Sequence, residues 1–158
     1  MSTLNWSELC ERPELQDLPF KIETDDEGHI IMTPTKNYHG FFQAELAALL
    51  RAYPGKVITE CAVWTPKGTK VPDVAWMTET TFAIVRDEAE CSVCPELCVE
   101  VLSDSNTPAE RHRRRQLYFE QGAHEVWECT KDGEITFYCN DGGRESHLFP
   151  DFPNTISL

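Results

Sequence analysis

No stretch of this chain approaches the roughly 20 consecutive apolar residues that span a bilayer, so a membrane protein is not expected. The opening residues, Met-Ser-Thr-Leu-Asn-Trp-Ser-Glu-Leu-Cys, lack the basic start and apolar run of a secretory leader, which points to the cytoplasm. Cations are scarce. Only 14 Lys plus Arg stand against 27 Asp plus Glu, a formal net charge of -13. A surface this acidic repels polyanions, so tight, non-specific DNA binding is disfavoured. DNA stays possible as a partner through a local basic groove, or through a divalent cation that inverts the local field. Internal repeats and low-complexity segments are also missing.

A second cysteine pair is missing too. Cys91 and Cys94 form a CxxC, but only scattered Cys10, Cys129, Cys139 and the histidines remain to complete a zinc site. Cys98 alternates with Leu97 and Val99 in an apolar run and reads as core. The seven cysteines are an odd number in a chain of cytoplasmic character, which favours free thiols over a disulfide framework. Cys91 and Cys94 are therefore either plain thiols or part of a zinc-ribbon-like adaptor.

What is present is ordinary globular material. The 158 residues fit one domain, and 41% apolar residues suffice for a full hydrophobic core. Residues 1–19 read as a polar extension with a short helix near Trp6 to Cys10. Strand-like runs Phe20–Thr24 and His29–Thr33 flank Asp25-Asp26-Glu27-Gly28 and predict an N-terminal hairpin. Phe42, Leu46, Leu49 and Leu50 recur at helical spacing, predicting a helix from about Gly40 to Tyr53, stopped by Pro54-Gly55. Lys56–Val63 and Val71–Met77, joined by a loop around Lys67-Gly68, predict a second hairpin. A short helix is expected near Thr81 to Arg86.

The run Leu97–Leu102 is nearly all apolar, as in a central strand covered on both faces. Ser103–Pro108 supplies capping residues for a second long helix ending near Gln121, with Gly122 beyond it. His124–Thr130 and Glu134–Cys139 make a C-terminal hairpin. Residues 141–158 form an acidic tail, with Phe149 and Phe152 placed to cover a sheet edge. The order of elements specifies an α/β fold, a mixed β-sheet flanked by helices.

Two carboxylates sit where strands rarely hold them. Asp73 lies in Val71-Pro72-Asp73-Val74, and Glu100 in Val99-Glu100-Val101-Leu102. A buried carboxylate costs several kcal/mol unless it is compensated. A hard divalent cation is one remedy. Salt bridges to Arg113, Arg114 or Arg115 are the other, and the pattern alone favours neither. A turn near Lys67 and Gly68 would place Asp73 opposite Ala62 and bring Glu60 to the same face.

Together these residues resemble the Uma-type family of restriction-endonuclease-like proteins, a branch of the PD-(D/E)xK nuclease superfamily. The matching pieces are the hairpin ending Met32-Thr33-Pro34, His39 opening the first helix, Val71-Pro72-Asp73-Val74, Pro95 through Ser103, and Tyr118 through Trp127. They span about residues 20–140 in the family's order. The resemblance implies a three-layer restriction-endonuclease-like fold and a Mg²⁺- or Mn²⁺-dependent endonuclease. In it Asp73 and Glu100 would be the metal-binding acids, with Glu45, Glu60 and His39 as outer-site candidates. The superfamily's lysine belongs two residues after the Glu, where this chain has Leu102. In the Uma-type branch it moves to the following helix, where this chain has Arg114. Arg stays protonated and cannot act as a base. Two readings follow: an endonuclease of weakened or lost activity that uses Arg114 for charge stabilisation, or a non-catalytic interaction protein on the same fold. Exposed hairpin edges favour a homodimer.

Overall fold

A computed structural model describes residues 5–158. A short helix α1 (Trp6–Cys10) is followed by the hairpin β1 (Lys21–Thr24) and β2 (Ile30–Thr33), which form a two-stranded sheet of their own. Next come α2 (Asn37–Leu50), β3 (Lys56–Thr59), β4 (Val74–Met77), α3 (Glu79–Val85), β5 (Leu97–Val101), α4 (Pro108–Glu120), β6 (Glu125–Cys129) and β7 (Ile135–Cys139). Strands β3 to β7 make a five-stranded sheet in chain order. It is mixed because α4 carries the chain across from β5 to a parallel β6, while every other neighbour is antiparallel.

The sheet is covered on both faces, as its continuous apolar runs require. Phe42, Leu46 and Leu50 of α2 pack on one face against Val74, Leu97, Val99, Val101 and Trp127. Tyr118 of α4 and Val85 of α3 cover the other face against Ala75, Met77, Cys98 and Val126. The three-layer α/β arrangement is therefore present. The tail completes the first core: Phe149, Phe152 and Ile156 are buried in it, and Thr155 bridges to Glu134 just before β7.

Boundaries moved for physical reasons. Helix α2 begins at Asn37 rather than Gly40, because its N-cap, Lys36, has no side chain that caps and so leaves no signal. Strand β3 ends at Thr59 rather than Val63, because Glu60 takes a left-handed backbone with φ 51°. The hairpin register also differs. Glu60 N–H donates to the Asp73 carbonyl at 2.9 Å, so Asp73 lies opposite Glu60, not Ala62. The turn is centred on Pro66-Lys67, with Gly68 N–H closing onto the Thr65 carbonyl.

That turn positions the site. Gly68 (φ 98°) lies so close to β1 that a β-carbon would stand 2.3 Å from the Thr24 carbonyl oxygen. The close approach lets Thr24 N–H reach the Thr69 carbonyl and Val71 N–H reach Glu23 Oε2 at 2.6 Å. The small N-terminal sheet is thereby fastened over the end of β4.

Candidate functional site

Asp73 precedes β4, where Pro72 cannot donate a ladder bond and the strand has not yet begun. Its carboxylate is 1% exposed. Oδ2 accepts from Val101 N–H at 2.7 Å and lies 3.2 Å from His39 Nε2, in the first turn of α2. Oδ1 accepts from Lys21 Nζ at 3.0 Å.

Glu100 reaches the same place from β5. Strand alternation sends Leu97, Val99 and Val101 to the α2 side, and Cys98 and Glu100 to the α4 side. Glu100 Oε1 accepts from Arg114 Nε and from the Tyr118 hydroxyl, each at 2.7 Å. Its Oε2 lies 3.7 Å from the same Lys21 Nζ. Arg114 and Tyr118 are four residues apart, one turn along α4, so both face the strand.

Arg114 serves two acids. Beyond Glu100, its Nη1 donates to Glu23 Oε1 at 3.1 Å and its Nη2 to Glu23 Oε2. The cluster therefore holds three acids, Glu23, Asp73 and Glu100, threaded by two cations, Lys21 and Arg114.

The electrostatics follow from burial and these contacts. For Asp73, burial would raise the carboxyl, but His39, Lys21 and the Val101 N–H outweigh it and hold it below its ordinary value. Glu23 is likewise buried, and the Arg114 guanidinium holds it low. Glu100 goes the other way: burial raises it more than Arg114 and Lys21 lower it. For Lys21, burial would depress the ammonium, but Glu100 and Asp73 raise it above the usual lysine value. Lys21 is therefore a fixed positive charge.

Asp73, Glu100, Arg114 and His39 are thus brought together as expected from the sequence. Glu45 and Glu60 are not: both are exposed and outside the cluster. Glu60 stands opposite Asp73 in register, but its left-handed backbone turns it away. Lys21 and Glu23 were missed. They alternate on one strand face of β1, which in sequence reads as the solvent side of a hairpin.

Of the basic run, Arg113 points to solvent, while Arg115 Nη1 donates to the buried Glu128 at 2.7 Å. The CxxC thiols lie in the second core. Cys91 Sγ is 3.5 Å from Cys61 Sγ, and Cys94 Sγ is 3.7 Å from Cys98 Sγ. These four thiols form no compact three-ligand group among the described residues.

Above the cluster opens a cleft of about 1200 Å³. Lys36, Lys67, Lys70 and Arg113 line its rim, alongside the acids Asp26, Asp104 and Glu110. No helix among the described residues is long and apolar enough to cross a membrane.

The donor set at the base of the cleft suits a hard cation. Two carboxylates converge on a single ammonium, whose nitrogen stands where a positive ion would be drawn. Mg²⁺ commonly takes one or two protein carboxylates and keeps water for the rest of its shell.

Comparison with known proteins gives two findings. A family model described as "Uma2: Putative restriction endonuclease" matches residues 6–158, beyond the span of about 20–140 that carries the sequence motifs. The crystal structure of a protein described as a putative nuclease belonging to DUF820, from Anabaena variabilis, superposes with a TM-score of 0.67 at 17% identity. It covers 90% of this chain and 83% of that one. A likeness at that identity is one of fold. No curated protein matches the chain.

Proposed function

The chain belongs to the Uma2 family, described as putative restriction endonucleases, and from that membership we propose that it is a divalent-metal-dependent endonuclease hydrolysing DNA phosphodiester bonds. One observation carries the reading. The Asp73 and Glu100 carboxylates, 27 residues apart in sequence, converge on Lys21 Nζ at 3.0 and 3.7 Å at the base of an open cleft.

In this reading Asp73 and Glu100 hold Mg²⁺ or Mn²⁺. When bound, the ion polarises the scissile phosphate and lowers the pKa of an attacking water. The chain's own residues do the rest. Lys21 supplies the positive charge that a nuclease lysine provides, arriving from β1 rather than from position 102 or 114. In this reading it acts as a charge stabiliser toward the negative charge that grows on the phosphate oxygens. Arg114 holds Glu100 and Glu23 in place through its rigid fork. His39 fixes the orientation of Asp73. The rim cations Lys36, Lys67, Lys70 and Arg113 offer contacts to a phosphate backbone. With the net charge at -13, DNA binding is expected to be weak and strongly salt-dependent. A homodimer belongs to the same proposal, supported by the apolar Ile30, Ile31 and Met32 exposed on β2.

The test is cleavage of plasmid or oligonucleotide DNA with Mg²⁺ or Mn²⁺, comparing the wild type with Asp73→Ala and Glu100→Ala. Loss of cleavage in both variants supports the proposal. Activity untouched by both substitutions removes these residues from the chemistry.

A second reading has its own support. Every acid of the cluster already contacts a protein cation, so two of its three negative charges are compensated without any metal. A non-catalytic interaction protein would look like this. It predicts no calorimetric binding of Mg²⁺ or Mn²⁺ at millimolar concentration.

A further inference from the structure

On the far side of β6, at the end of β7, three metal-ligating side chains of different kinds gather. The Cys139 Sγ, an Asp141 carboxylate oxygen and an His147 ring nitrogen all lie within 4.8 Å of one another. We propose that Cys139, Asp141 and His147 bind a borderline divalent transition metal of the zinc class, at a site separate from Asp73 and Glu100.

Backbone bonds fix all three ligands. The Cys139 N–H donates to the Gly143 carbonyl at 3.0 Å, and the Cys139 carbonyl accepts from Gly142 N–H at 3.0 Å, closing a tight turn with Asp141 at its tip. Gly142 takes φ 89° there. Asp141 Oδ1 accepts from Gly143 N–H at 2.8 Å, which leaves Oδ2 free to face His147. His147 is anchored by its own N–H, which donates to the buried Glu125 Oε1 at 2.6 Å. Its ring Nε2 stands 3.4 Å from Asp141 Oδ2. Cys139 Sγ lies at the inner end, buried, its thiol donating to the Glu145 carbonyl at 3.1 Å, a bond that is given up when the thiolate takes the metal.

The chemistry of the donors selects the ion. One sulfur, one imidazole nitrogen and one carboxylate oxygen suit Zn²⁺, which binds them at about 2.3, 2.0 and 2.1 Å, whereas Mg²⁺ and Ca²⁺ avoid sulfur. Such bond lengths put ligand atoms about 3–4 Å apart, so the group closes with side-chain rotations alone. On binding, the Cys139 thiol gives its proton to solvent. The thiolate and the Asp141 carboxylate then balance the two positive charges, and the fourth position goes to water. The ion would tie the end of β7 to the start of the segment that carries Phe149, Phe152 and Ile156 into the core.

Cobalt(II) and zinc(II) titrations of the metal-free full chain test this. The expected result is a sulfur-to-cobalt charge-transfer absorption whose amplitude corresponds to one thiolate-bound Co²⁺ per chain, displaced by Zn²⁺. Cys139→Ser abolishes the absorption. Asp141→Asn and His147→Gln, both at exposed positions that leave the fold intact by circular dichroism, weaken binding about 100-fold, at the upper end of what even outer-shell partners are worth. Asp73→Asn leaves the site unchanged, so its outcome is independent of the nuclease proposal. Absence of the charge-transfer band, its persistence in Cys139→Ser, or unchanged affinity in both exposed variants overturns the inference.

Discussion

Glu100 and Glu128 are register partners on the parallel strands β5 and β6, and both send their carboxylates toward α4. Two buried negative charges side by side repel unless each has its own cation. Helix α4 provides them from consecutive positions, Arg114 for Glu100 and Arg115 for Glu128, with Arg111 a further 3.6 Å contact to Glu128. The basic run is thus largely the complement of an acidic pair in the sheet.

Removing Arg115 tests that pairing. Glu128 is 3% exposed, and an unpaired buried charge costs about 3–5 kcal/mol. Arg115→Ala is expected to destabilise by about 3 kcal/mol, at the low end because Arg111 remains, as read from the urea midpoint. The double variant Arg115→Met, Glu128→Leu should recover most of the loss. An effect under about 0.5 kcal/mol for Arg115→Ala would mean that the pair is solvated and structurally idle.

Arg114→Lys separates charge from geometry. Lysine keeps the positive charge but cannot bond Glu23 and Glu100 at once, as the guanidinium does through Nε, Nη1 and Nη2. We expect a loss of about 1–2 kcal/mol in thermal or denaturant unfolding, on the scale of one or two charge-assisted hydrogen bonds. Stability equal to the wild type would show that the bridging fork is dispensable.

The acid limb of the stability curve carries a signature of the cluster. In the metal-free protein Asp73 and Glu23 titrate below their ordinary values of 3.8 and 4.5. The unfolded chain therefore binds more protons through that range. Their contribution is present above the ordinary values and is lost as pH falls through the lowered ones. Glu100 opposes them: its raised value means that its contribution is present at low pH and lost as pH rises. Urea unfolding in EDTA should show stability falling as pH drops below about 4, with a shallower fall in Asp73→Asn. An identical slope in that variant would contradict the ion-paired assignment.

Glu125 anchors the tail. It accepts four hydrogen bonds, from Trp127 Nε1, Ser146 Oγ and the N–H groups of His147 and Leu148, at 2.6 to 2.9 Å. Glu125→Ala should cost about 3 kcal/mol, because four donors lose a buried charged partner. It should also open the segment after Asn140 to limited proteolysis. Resistance equal to the wild type would show that the buried aromatics alone hold the tail.

Much of the fold was legible because the local signals agree. The strand-like runs flanking Asp25–Gly28, the apolar spacing of α2 and the capping residues within Ser103–Pro108 each point to the element that forms. Asp73 and Glu100 stood out because strands seldom hold acids. The cluster's other half was hidden. Lys21 and Glu23 are 52 and 48 residues from their partners, Asp73 and Val71, and become buried only when the Gly68 turn brings β1 down onto the loop before β4. No local pattern marks such a long-range docking. The Glu60 reading failed for a related reason, since a pairing argument presumes regular backbone and Glu60 is left-handed.

The central claim is that Lys21 serves as the nuclease lysine of the Asp73–Glu100 pair. Its most direct test is the single-turnover rate of plasmid cleavage in Mg²⁺ for Lys21→Met, with Mn²⁺ binding measured on the same protein. Methionine keeps an unbranched stem as far as the ε-carbon and removes the charged nitrogen. The account predicts cleavage slowed by about 10²- to 10³-fold, as when one charge-stabilising donor is lost. Mn²⁺ should bind at least as tightly, because the two acids lose their competing cation. Cleavage at the wild-type rate in Lys21→Met would contradict it.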